Sequence, residues 1–420
     1  MNTASRFVLI FLALFRVSAL EASIEIVSVV NAVDGRPIAG ALVTAEGRVE
    51  AADGQGRLTL PAPATWVAAR APGYLRTHVQ DASPIARNET IRLTPFRPKA
   101  LYLSFYGIGD KALRESALKL IATTELNALV IDVKGDRGRI PYRSAVALAA
   151  DSGAQKVITV RDMPTLIAQL HAGGVYLIAR VVAFKDDPLA RTHPEWAVRD
   201  RNGQIYVDRE GLAWIDPFRG EVRDYVLDVA EEAARLGFDE IQFDYLRFPD
   251  APGLVFAELP TQTNRVATIS GFLSEARRRL APYNVFVAAD IFGYVLWNRD
   301  DTAIGQRLED LVKYLDYVSP MLYPSNFQFG IPGYRNPVAV PGEIVRLSLR
   351  NAVKRTGLPP IRFRPWLQAF RDYAFDRRLF GADMIRAQIE AAEAFGSDGW
   401  MLWNPRNAYG EAGLRAKTQQ

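Results

Sequence analysis

The chain of 420 residues contains no cysteine, which excludes disulfides, thiol nucleophiles and cysteine-ligated metals. Histidine is nearly as scarce. His78, His171 and His193 are the full set, and three scattered rings give neither a triad nor a histidine-rich metal centre. Charge of one sign is also missing: the net value is +4, and the basic residues are dispersed rather than blocked, so no nucleic-acid partner is expected. The N-terminal apolar run, Phe7–Phe15, is nine residues long and too short to span a bilayer comfortably. Apolar side chains, by contrast, are plentiful at 49%, enough for a sizeable core and for two domains or one large one with an appendage.

Met1–Ala22 reads as an export signal. Arg6 supplies the positive start, the apolar run follows, and Val17-Ser18-Ala19 offers small residues before a cut. An uncleaved anchor is the alternative. The expected location is therefore secreted or periplasmic.

Residues 23–95 read as a small all-β module. Ser23–Val33 is rich in β-branched residues, with apolar side chains on both parities, so it is expected to be buried on both sides or bulged. Asp34-Gly35 and Asp53-Gly54-Gln55-Gly56 are turn signals between short strand-like runs at sandwich spacing. The pattern N-A-V-D-G-R-P-I-A-G-A-L-V, then D-G-Q-G-R-L-T-L and A-P-G-Y, resembles the carboxypeptidase regulatory-like sandwich. That resemblance implies a spacer or a binding attachment without catalysis.

From Lys99 onward, strand-like and helix-like runs alternate. The eight strands expected are Leu101–Tyr106, Ala128–Lys134, Val175–Phe184, the stretch from Phe238, Val285–Ile291, Tyr317–Leu322, Arg362–Gln368 and Gly399–Trp403. This α/β pattern over 97–410 predicts a (β/α)8 TIM barrel preceded by the β-sandwich. A doubly wound sheet is the rival, but Gly107-Ile108-Gly109 lacks the third glycine of a dinucleotide fingerprint.

The C-terminal strand ends of a barrel form its active face. Here they hold Asp132 and Lys134, Arg180, then Asp244, Tyr245 and Arg247, then Asp290, Tyr323, Trp366 and Gln368, and finally Trp403 and Asn404. Within F-D-E-I-Q-F-D-Y-L-R-F-P, Gln242 and Asp244 share a parity, which places the carboxylate inward at the strand end. Aromatics, amides and carboxylates without histidine suit a sugar: rings stack on its apolar face and polar groups take its hydroxyls. Cleaving a glycosidic bond needs two carboxyl groups and no metal or other cofactor. Arg247 beside Asp244 is expected to keep that carboxylate ionised as the nucleophile, while Asp290, among apolar residues, is expected to stay protonated as acid/base. Lys134, Arg180, Tyr245, Arg247, Tyr323, Trp366, Gln368, Trp403 and Asn404 are expected substrate contacts, with Asp132 as a competing carboxylate. Asp136 is expected to be a solvated turn residue, and Glu240 and Asp316 fall at strand beginnings, away from chemistry. Two other functions fit the same residues. One is a non-catalytic carbohydrate-binding or cell-envelope scaffold. The other is a hydrolase in which Asp132, Asp244 and Asp290 converge on one ion.

With L-V-I-D-V-K-G-D, D-Y-V-S-P-M-L-Y-P and D-G-W-M-L-W-N, the fourth-strand stretch resembles a group of bacterial glycoside hydrolase domains over about Pro98–Tyr409. These are barrels distantly similar to the alpha-amylase and alpha-galactosidase superfamilies. The resemblance implies a nucleophilic Asp at the end of strand four, which Asp244 matches. Amylase-like enzymes place a Glu after strand five, where this chain has Asp290. Galactosidase-like enzymes use an Asp after strand six, where it has Tyr323 and Pro324. A carbohydrate, a cell-envelope polysaccharide among the candidates, is the implied partner.

Overall fold

The computed structural model describes residues 24–61, 66–77 and 88–417. The expected export signal lies outside them.

Eight parallel strands close into a barrel: β1 (Lys99–Leu103), β2 (Ala128–Lys134), β3 (Tyr176–Val182), β4 (Glu240–Asp244), β5 (Phe286–Phe292), β6 (Tyr317–Met321), β7 (Trp366–Gln368) and β8 (Trp400–Trp403). The connecting helices follow the sequence signals. Asp110 caps the helix Lys111–Thr123 by accepting from the Leu113 N–H at 2.9 Å. The helix Gly220–Leu236 stops at Gly237, whose φ of 107° is open to glycine and strained for other residues. Several expected strands are shorter than their patterns, and two of them show why. Ser104 accepts from the Gly107 N–H and starts a helical turn, Phe105–Gly109, so β1 ends before Tyr106. Pro365 and the 3-10 turn Pro360–Arg362 hold β7 to three residues.

Strand parity sorts the barrel into two environments. Ile241, Phe243, Val287 and Ala289 face the helices in the main apolar core. The alternate residues point inward and stack in layers along the axis. At the bottom, Glu240 pairs with Arg364 at 2.5 Å, and Arg364 continues to Asp398 at 3.0 Å. In the middle, Gln242 donates to the Ser319 hydroxyl at 2.9 Å. At the top stand Asp132, Arg180, Asp244 and Asp290. Glu240 and Asp316 sit at strand beginnings, as the sequence reading placed them, and both are held in ion pairs.

The N-terminal region forms two three-stranded sheets. One joins Arg57–Pro61, Ile24–Asn31 and Asn88–Leu93; the other joins Arg48–Ala51, Leu42–Ala45 and Ala68–Arg70. Val27 and Val29 are fully buried between them while Ile26 is 39% exposed, so Ile24–Asn31 buries one face only, without the second buried face expected. This region covers the barrel floor. Buried Arg70 meets Asp316 at 3.4 Å and donates to Asn284 Oδ1 at 3.0 Å. The Gly73 N–H donates to the Tyr317 hydroxyl, and Leu75 and Phe96 pack on the inner cluster containing Tyr176, Phe286 and Tyr317.

Candidate active site

Arg180 is the hub of the barrel mouth. It lies mid-ladder on β3, opposite Asp132 of β2 on one side and Gln242 of β4 on the other. From there its guanidinium reaches three carboxylates. Nη1 donates to Asp132 at 2.7 Å, Nη2 to Asp136 at 2.7 Å, and Nε and Nη2 to Asp244 at 2.9 and 2.5 Å. The other Asp244 oxygen accepts from the Tyr245 N–H at 2.6 Å. Tyr245 adopts φ 47°, a conformation rarely taken by a bulky residue, and this turn sets the N–H on its neighbour's carboxylate. Arg247, expected to pair with Asp244, instead lies over the rings of Trp214 (4.9 Å) and Tyr245 (5.5 Å). It donates to the Phe248 carbonyl. Adjacency in sequence suggested the wrong cation; the ladder to β3 supplies the right one.

Asp290 has the opposite surroundings. It is 1% exposed, one oxygen accepts from Trp366 Nε1 at 2.6 Å, and the other is buried without a hydrogen-bond partner. Burial, and then the negative charge of Asp244, push its carboxyl well above the usual range. Burial likewise raises Asp132 to about 6, against the pull of Arg180. Asp132 also accepts from the Tyr102 hydroxyl at 2.8 Å and the Phe105 N–H at 3.1 Å.

Two clefts open here. The first, about 370 Å³, is lined by Arg180, Asp244, Tyr245, Arg247, Tyr323, Trp366 and Trp403, with Phe370 and Tyr373. The second, about 300 Å³, is lined by Tyr102, Asp132, Asp136, Arg137 and Arg139. Trp403 and Pro405 belong to both walls. Trp403 is backed by Tyr102, stacked at 3.9 Å, and Arg180 lies 5.0 Å from its ring centre.

Asp290 does not itself line the first cleft; Trp366, which does, stands on it through the indole N–H. Lys134, Gln368 and Asn404 line neither cleft. A register shift between Asp132 and Lys134 breaks the alternation, and Lys134 is buried against Asp186 at 2.8 Å and the Val182 carbonyl. Gln368 is committed to Ser325 and the Phe370 carbonyl, and Asn404 to the carbonyls of Ala369 and Ala408. Each braces a loop of the mouth. Asp136, read as solvated, is a partner of Arg180, and Tyr102 was missed. Its inward parity with Asp132 across β1 and β2 was the available signal. His193 stacks on Trp196 at 4.1 Å and reaches neither cleft. Among the described residues no group of three histidines and carboxylates is placed to hold a metal ion, and Arg180 occupies the space between Asp132 and Asp244.

A closed barrel with carboxylates and aromatic rings at its mouth is the architecture of a glycosidase. Residues 100–409 match a family described as "Putative glycosyl hydrolase domain", and the chain belongs to that family. The chain is also similar in fold to the PgaB (BpsB) glycoside hydrolase domain from Bordetella bronchiseptica. The identity is 15% and the TM-score 0.53, covering 74% of this chain and 95% of that one. A hypothetical protein from Ruminiclostridium thermocellum is 33% identical over 45% of this chain and 96% of its own, with a TM-score of 0.40. The catalytic domain of a beta-amylase from Paenibacillus polymyxa is 13% identical, covers 76% and 95%, and has a TM-score of 0.47. None of the curated proteins matches the chain.

Proposed function

We propose that this chain is an exported glycosidase that cleaves a polysaccharide or oligosaccharide with two carboxyl groups and retention of configuration. Asp244 attacks or stabilises the oxocarbenium-like centre. Asp290 gives its proton to the leaving oxygen and then activates water. The observation that carries this reading is the contrast between the two acids. Asp244 is clamped by a cation and a backbone N–H, whereas Asp290 is buried with one oxygen unpartnered. Such a contrast is how one site keeps a base and an acid at the same pH. Asp290 lies behind Trp366 and holds its proton on the oxygen that the indole N–H leaves free, so Trp366 must shift for that proton to meet the leaving oxygen. Trp366, Trp403 and Tyr323 supply faces for the sugar, and Arg180, Tyr245 and Arg247 border its polar edge.

The domain plan supporting export is a signal over 1–22, a carboxypeptidase regulatory-like module over 23–95 and the barrel over 97–410. The test is a screen of polysaccharides with the purified chain. Wild-type protein should release product with retained anomeric configuration by NMR, and Asp244→Asn should abolish release. Unchanged turnover in Asp244→Asn would remove the nucleophile assignment.

The depth of Asp290 favours a second reading, a carbohydrate-binding or envelope scaffold protein. Its mark would be glycan binding without product at any pH.

A further inference from the structure

The second cleft is unexplained by the reaction at Asp244. Its floor is polar and buried: Asp132 is 2% exposed and already satisfied by Arg180, Tyr102 and the Phe105 N–H. Its rim is cationic. Arg137 is exposed and Arg139 half-buried, and neither guanidinium has an ion-pair or hydrogen-bond partner among the described residues. The nearby carboxylate, Asp136, is taken by Arg180.

Unpaired arginines are common on open surface. These two differ because both line one concave wall and because a tight turn carries them. The Gly135 N–H donates to the Arg139 carbonyl at 3.0 Å and the Gly138 N–H to the Gly135 carbonyl at 2.8 Å. The turn is pressed onto the barrel: a Cβ at Gly135 would meet Asp132 Oδ2 at 2.8 Å, and one at Gly138 would meet Asp186 Oδ1 at 2.3 Å. Asp186 is itself locked by Lys134. The arginines therefore project from a braced backbone, so that only their side chains remain to be ordered when an anion binds. Tyr106, 53% exposed, and Trp403 give the same cleft two aromatic surfaces.

We infer that the second cleft is a subsite for a neighbouring sugar unit bearing an anionic group, held by Arg137 and Arg139. The substrate is then an acidic glycan that crosses Trp403 and Pro405 from one cleft to the other. This inference rests on the glycosidase reading above for the role of the first cleft. The group is a carboxylate, sulfate or phosphate ester, which share the chemistry that two guanidinium forks accept.

The test is calorimetry on the full chain with galacturonate, glucose 6-sulfate and glucose 6-phosphate as separate arms, each against its neutral parent, galactose or glucose. At least one anionic sugar should bind about tenfold more tightly than its parent, with the advantage shrinking in salt. The double variant Arg137→Gln/Arg139→Gln should lose that advantage and keep its affinity for the neutral parent. Equal affinities in the wild type, no binding by any anionic arm, or an advantage that survives in the double variant would overturn the inference. The wild-type comparison stands even if the variant misfolds. A chain that hydrolyses only neutral glycans would defeat this subsite and leave the cleavage reading standing. One that binds acidic sugars through these arginines but cleaves nothing would do the reverse.

Discussion

Arg180 on β3 grips Asp244 on β4 through two nitrogens while its third binds Asp132 across the other ladder. One buried cation thus orders three carboxylates. Replacing it with methionine leaves them uncompensated, and breaking such a buried pair costs about 3–5 kcal/mol. Arg180→Lys keeps the charge on a single nitrogen that cannot serve the fork geometry. We expect thermal unfolding to drop strongly in Arg180→Met and less in Arg180→Lys. Both should lose about a hundredfold or more in kcat/KM.

Asp290 binds its proton more tightly in the folded state than in the unfolded one. From about pH 4 upward, the ordinary carboxyl range, the native state holds the extra proton. Stability therefore falls as pH rises toward the folded value. Asp290→Asn removes that slope and keeps an oxygen for the Trp366 N–H. It should be more stable than wild type at neutral pH, by on the order of 1–3 kcal/mol. The gain should fade below about pH 4. Turnover should fall by a factor of about 10²–10⁴, the usual worth of a general acid. Melting curves across pH, paired with rates, check both halves.

The indole N–H of Trp366 favours the ionised form of Asp290. In Trp366→Phe the carboxyl should hold its proton to still higher pH, so the alkaline limb of the kcat/KM profile should move upward. A limb that stays in place would mean that another group donates the proton.

Trp403 is the partition between the clefts. Trp403→Ala should raise KM for an oligosaccharide long enough to occupy both, by about tenfold, the scale of one lost aromatic stacking contact. A substrate filling only the first cleft should be affected less.

Far from the mouth, Arg70 ties the N-terminal sheets to Asp316 and Asn284. Arg70→Ala should cost about 3–5 kcal/mol, leaving a buried carboxylate short of a partner. The kcat/KM of the remaining folded protein should be unchanged. A matching fall in both would couple floor and mouth.

The barrel was legible because its local signals agree. Strand β2 has the limits that its pattern predicts, and the parity of Gln242 and Asp244 puts both inside. The site was legible only in part. Asp244, Tyr245, Tyr323, Trp366 and Trp403 line the first cleft because strand ends define the mouth. The cation was misassigned because Arg180 and Asp244 meet through a ladder and a long side chain, which sequence proximity does not encode. Lys134 turned away at a bulge that no residue type announces. Gln368 and Asn404 had the polarity of ligands but spend it on loop carbonyls and N–H groups.

The two small sheets occupy the closed end of the barrel, with Arg70 and Gly73 against its base. Whatever precedes residue 24 is therefore joined to the half of the molecule that faces away from the catalytic opening. Among the described residues none of these sheets lines either cleft, so approach to the mouth is governed by the strand-end loops alone.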